Sequence, residues 1–171
     1  MSLSLAAQMK LSIKSWFDNI LDLSTISDDL SLTITDDLTN GTGADKAQVC
    51  WHDQRTLGTT TGEDIDLVGA LTCAFGVVTF DNIKMIVIKV VTETSGYTLQ
   101  VGGSAGGGPI DSIFVDTSDK IVIGAGGLLA LSSPVNGYDL DPTTADDLYI
   151  YNPSGGDVVY DIWVVGEGSV A

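Results

Sequence analysis

Ile83-Lys84-Met85-Ile86-Val87-Ile88-Lys89-Val90-Val91 is the most apolar run of the 171-residue chain, and its reading decides the fold. Most of its residues are β-branched, which suits a pleated strand better than a helix. Its two charges, Lys84 and Lys89, fall on opposite faces by parity. The run is therefore expected at the centre of the core, with each lysine near a strand end or paired with a carboxylate.

The same signal spreads in both directions. Upstream, Val49 to Trp51, then Ile65, Leu67 and Val68, then Val77 to Phe80 form short apolar runs. Downstream, Tyr97, Leu99 and Val101 alternate with Thr98 and Gln100, the mark of a half-buried strand. Ile113 and Val115 alternate, as do Ile121 and Ile123, and Leu128 to Leu131 follows a Gly126-Gly127 break. Leu148 and Ile150 alternate with Tyr149 and Tyr151; Val158, Tyr160, Ile162 and Val164 share one face of a last strand. Asn136-Gly137, Asp141-Pro142 and Asn152-Pro153 are turn signals. About ten short strands with turns between them predict an all-β domain, an antiparallel, jelly-roll-like β-sandwich. A βαβ fold has no room for its crossover helices.

The first 43 residues read differently. Leu3, Leu5, Ala7, Met9, Leu11 and Ile13 all fall on odd positions, a strand period. Trp16, Phe17, Ile20 and Leu21 have helical spacing, which allows a helix across 15–22. Leu30, Leu32 and Ile34 alternate again before Asn40-Gly41-Thr42-Gly43 breaks the chain. Residues 1–43 are thus expected to form an arm or docking segment, and 44–171 the sandwich; the other reading gives these residues ordinary strands in the same sandwich.

Seven basic residues face 23 acidic ones, a formal charge of −16. Such a surface repels phosphate backbones and argues against nucleic-acid binding. Residues 1–20, with Lys10, Lys14 and Asp18, carry +1, leaving −17 on the rest. No run reaches the roughly 18 apolar residues of a membrane-spanning helix. The opening MSLSLAAQMKLSIK lacks the pattern of a secretory signal, so synthesis in a cytoplasm is expected.

Gly102-Gly103-Ser104-Ala105-Gly106 fits G-x-S-x-G, but Gly106-Gly107-Gly108-Pro109 follows where that elbow needs a helix. The single histidine, His52, precedes the serine, and its expected role is at a strand end beside a carboxylate. Cys50 and Cys73 match no zinc spacing and read as reduced core thiols, with a disulfide as the alternative. Gly124-Ala125-Gly126-Gly127 lacks the Lys-Ser/Thr of a phosphate loop, and Asn40-Gly41-Thr42 is a sequon without secretion. Acidic pairs recur at Asp28-Asp29, Asp36-Asp37 and Asp64 with Asp66. Asp139, Asp141, Asp146 and Asp147 form the one weak calcium candidate, since calcium takes six to eight oxygens. No enzymatic activity and no cofactor are expected.

Gly41-Thr42-Gly43-Ala44-Asp45-Lys46-Ala47 runs on to Trp51-His52-Asp53-Gln54-Arg55-Thr56-Leu57. Glu63-Asp64-Ile65-Asp66-Leu67-Val68-Gly69, Leu71-Thr72-Cys73-Ala74-Phe75-Gly76 and Val101-Gly102-Gly103 follow. Over about residues 41–168 this order resembles a family of small proteins encoded in the structural-gene regions of tailed phages and prophages. Cys73 stands where that pattern has an acidic residue, and Ala125 where it has proline. The resemblance implies a virion protein without catalytic residues. A capsid decoration or cement protein is the leading expectation, bound to the major capsid protein. A tail-fibre, spike or baseplate module that touches a host receptor comes next, and a free carbohydrate- or calcium-binding module third. Leu11, Ile13, Trp16, Phe17, Ile20 and Leu21 are the expected assembly residues, because so apolar an arm needs covering. A homo-oligomer is expected. Its favoured form, a trimer, rests on the threefold sites of virions and on the resemblance.

Overall fold

The computed structural model describes residues 3–69, 71–103 and 110–171. Among these the chain is all-β, with thirteen strands and no helix. They are β1 (Ala7–Ile20), β2 (Thr25–Asn40), β3 (Lys46–Ala47), β4 (Val49–Leu57), β5 (Gly62–Asp66) and β6 (Leu71–Cys73). Then come β7 (Gly76–Val90), β8 (Thr98–Val101), β9 (Ile121–Gly124), β10 (Leu128–Ser132), β11 (Tyr138–Asp139), β12 (Asp147–Tyr151) and β13 (Val158–Val170).

The run from Ile83 lies in β7, which has β10 on one side and β13 on the other. The larger sheet has the order β10-β7-β13-β4, with β6 and β11 also on β7; the smaller is β5-β12-β8-β9. The pairings are nested and antiparallel: β4 with β13, β5 with β12, β7 with β10, β8 with β9. Within the body, which begins at β4, first strand meets last and each inner pair follows. The inner faces share one core, with Ile86, Ile88, Tyr160 and Ile162 from the larger sheet and Leu99, Val101, Leu148 and Ile150 from the smaller. Two sheets closing on one core make a sandwich.

Two polar clusters sit inside this body. Lys84 is almost wholly buried, its Nζ 3.0 Å from a Glu167 carboxylate oxygen and 3.3 Å from the Val135 carbonyl. Lys89 donates to the Gly126 carbonyl. Tyr160, fully buried, donates its hydroxyl to Glu63 at 2.7 Å, and Arg55 binds the same carboxylate while lying 5.4 Å over the Trp51 ring. Burial, then the hydrogen bond and charge of Glu63, hold the Tyr160 phenol well above its ordinary range. Burial works against the Arg55 charge, but Glu63 outweighs it and the guanidinium titrates above its usual value.

Two local expectations fail. Residues 113–115 form no strand: Ile113 and Phe114 both donate their amides to the Ile110 carbonyl, closing a turn that buries Ile110 and Phe114. No helix covers 15–22, because β1 continues to Ile20 in register with β2. Trp16 faces Asp29 and Phe17 faces Asp28 across the ladder, so pairing with a distant strand overrides the local helical spacing.

Candidate assembly surface

β1 and β2 form a long hairpin, closed at its tip where the Leu21 amide donates to the Ser24 carbonyl at 2.8 Å. Opposed residues share a face, so the register sorts the side chains. One face carries Leu11 with Ile34, Ile13 with Leu32, Ser15 with Leu30, Phe17 with Asp28 and Asn19 with Ile26. The other carries Lys10 with Thr35, Ser12 with Thr33, Lys14 with Ser31 and Trp16 with Asp29. The hairpin is amphipathic over rows 11 to 19, roughly 30 Å at a strand's rise per residue.

Its root is held by the body. On the apolar face, Leu38, Ala7 and Met9 pack with Ala47, Met85 and Val165, a second small core beside the main one. Ser132 donates its hydroxyl to Asp36 at 2.7 Å, and the Gly43 amide donates to Glu167 at 2.9 Å. Beyond the root nothing among the described residues covers the face. Exposure runs from 45% at Leu11 and Ile34 to 77% at Phe17. An isolated two-stranded hairpin is marginal in water, and an uncovered apolar face adds a liability.

Leu11, Ile13 and Phe17, three of the expected assembly residues, are gathered on this face. Trp16 and Ile20 project from the opposite face, and Leu21 lies in the tip. The second half of the surface, Ile26, Leu30, Leu32 and Ile34, was missed in the sequence. The alternation of Leu30, Leu32 and Ile34 was visible, but nothing local says that β2 lies against β1.

The other candidates disperse. Asp139 accepts from the Asn82 amide, while Asp141 accepts from the Thr143 amide and hydroxyl at 2.9 and 2.6 Å. Asp147 sits opposite Asp66 across the β12–β5 ladder. Among the described residues, no three of His, Cys, Asp and Glu are gathered to hold a metal ion. His52 is exposed in the middle of β4, opposite Trp163, rather than at a strand end; among the described residues no carboxylate bonds it. Cys50 and Cys73 are free and half-buried and line a common cleft, with Cys73 also packed against the main core; burial followed by the neighbouring Cys73 pushes the Cys50 thiol up. Ser104 to Pro109, the heart of the G-x-S-x-G match, lie outside the described residues.

The acidic patch does have a measurable consequence. Burial raises the Asp147 carboxyl, helped by Asp146, Asp64 and Asp66; burial and then Asp66 raise Asp146. A carboxyl raised in the folded state binds its proton more tightly there, so its charge destabilises the fold near neutral pH and the cost fades as pH falls. Asp147→Asn should therefore raise the melting temperature near neutral pH. The gain should shrink as pH falls towards about 3, where folded and unfolded chains are both protonated. Melting curves across that range check it; a gain that grows towards acid contradicts it.

Among the described residues no helix is long and apolar enough to cross a membrane. No protein-family model matches the chain, and a search of curated proteins finds no similar one.

Proposed function

We propose that this chain is a non-enzymatic structural protein of a tailed-phage virion, a decoration protein of the capsid that acts as a homotrimer. The observation that carries the reading is the hairpin, with an uncovered apolar face from Leu11 to Ile26 rooted in an acidic double-sheet body. A body of this kind offers broad sides and loop-rich ends, and symmetric assembly closes its edge strands. A charge of −16 keeps the exterior of an assembled particle dispersed and disfavours contact with packaged nucleic acid. The hairpin is the docking element, towards the major capsid protein or a sister subunit. The chain is made in the host cytoplasm and ends in the virion.

One observation favours the second reading, a tail-fibre, spike or baseplate module with a receptor or carbohydrate role. Tyr149 and Tyr151 stack with ring centroids 6.3 Å apart on the outer face of the smaller sheet. Gln100 and Lys120 line the same groove. Aromatic faces beside polar groups suit a sugar ring. Electron microscopy of particles labelled with antibody to this chain separates the readings. Label spread over the head supports decoration, label confined to the tail supports the second, and unlabelled particles overturn both.

A further inference from the structure

We infer that the apolar face of the hairpin is closed by the same face of a second copy of this chain, the hairpins lying parallel about a common axis. The inference rests on the assembly reading above and names the partner of that surface.

Length is the first argument. The uncovered stripe runs over rows 11 to 19, roughly 30 Å. Among the described residues, the chain's own body offers nothing that covers it. The apolar patch on the outer face of the larger sheet, around Val87 and Trp163, spans a few rows and meets the hairpin only at its root, where Met9 and Ala7 line the same cleft. Of the remaining exposed large hydrophobics of the body, Phe75, Val115 and Val135 stand in separate loops, while Ile121, Val122 and Leu128 lie on the short strands β9 and β10. Among the described residues, the one surface of matching length and width is another hairpin.

Area is the second argument. Leu11, Ile13, Phe17, Ile26, Leu30, Leu32 and Ile34 are each about half exposed or more. At on the order of 100 Å² of apolar surface per side chain, they offer on the order of 700 Å². A standard specific interface takes about 800 Å² from each partner.

The third argument is the order of rows. In a parallel arrangement each β1 residue meets the β2 residue of the same row on its neighbour. Leu11 then lies on Ile34, Ile13 on Leu32, Ser15 on Leu30 and Phe17 beside Asp28 near the tip. An antiparallel stack centred on the stripe puts the Asp28 carboxylate over the Ile13–Leu32 row of the other copy, where its desolvation is uncompensated. The parallel form also leaves the face of Lys10, Ser12, Lys14, Thr33 and Thr35 in water on every copy.

Sedimentation velocity on the full-length chain, from roughly 1 to 100 µM, tests it. The wild-type chain should sediment as a homo-oligomer. Ile13→Asp, on the apolar face, should weaken association roughly 100-fold, the scale of a buried interface anchor. Ser12→Asp, one residue away on the polar face, should stay within about twofold of wild type. Thermal melts of both variants report on the fold. A wild-type monomer throughout the range, or equal effects from both variants, overturns the inference. Unfolding of the body by Ile13→Asp overturns it too, because the stripe is then core. A monomer that still coats particles refutes this inference and leaves the virion reading standing. An oligomer absent from every particle does the reverse.

Discussion

Glu167→Ala should destabilise the fold by about 3–5 kcal/mol, the cost of leaving a buried charge without its partner. Lys84 has no other carboxylate within ion-pair distance among the described residues, and the Val135 carbonyl at 3.3 Å cannot neutralise it. The same substitution removes the acceptor of the Gly43 amide, which fastens the end of the hairpin to the body. Denaturant unfolding of wild type and variant measures the loss. Lys84→Met added to Glu167→Ala should recover much of it, because a well-packed apolar side chain needs no counter-charge. A loss below about 1 kcal/mol for the single variant would mean that Lys84 reaches water and the pair is a surface one.

Ile88→Ala should cost about 2–5 kcal/mol. Ile88 is fully enclosed, between Leu129 on β10 and Ile162 on β13, so truncation leaves a cavity at the centre of the larger sheet. Ile88→Val should cost roughly 0.5–1.5 kcal/mol at the same site. Denaturant midpoints with unchanged slopes give both values. A loss below roughly 0.5 kcal/mol for Ile88→Ala, the range of surface substitutions, would place the core elsewhere.

The strands of the body were legible because period-two alternation is a local signal. Thr98 to Val101, Ile121 to Ile123 and Val158 to Val164 all fall on strands where the alternation places them, with Tyr97 just outside β8. Partner choice was not legible. The ladder of β4 with β13 joins residues more than a hundred positions apart, and no local pattern records such a contact. Ile113 and Val115 show the limit: two alternating apolar residues also fit a turn that buries Ile110 and Phe114. At the N-terminus, Leu11, Ile13 and Phe17 were picked for their bulk, whereas Trp16 and Ile20 share that bulk but turn the other way. Only the β1–β2 register shows which residues make one surface. The acidic pairs misled for a related reason, since closeness in sequence at Asp139 and Asp141 does not aim carboxylates at a common point. Glu167 was a further miss; its carboxylate meets Lys84 beside the bulges of the β13–β7 ladder, and the flanking Gly166 and Gly168, where a Cβ would strike the β7 backbone, are the sequence mark of those bulges.

The most direct test of the assembly role is to pellet purified particles with the full-length chain and with a variant in which Leu11, Ile13, Leu32 and Ile34 are serine. Particles from a strain deleted for the gene serve as the acceptor, and circular dichroism monitors the fold of both proteins. The chain should pellet with the particles at a fixed ratio to the major capsid protein, and the variant, with its body still folded, should stay in the supernatant. A chain that never pellets with particles, or a variant that pellets as well as wild type, would contradict the account.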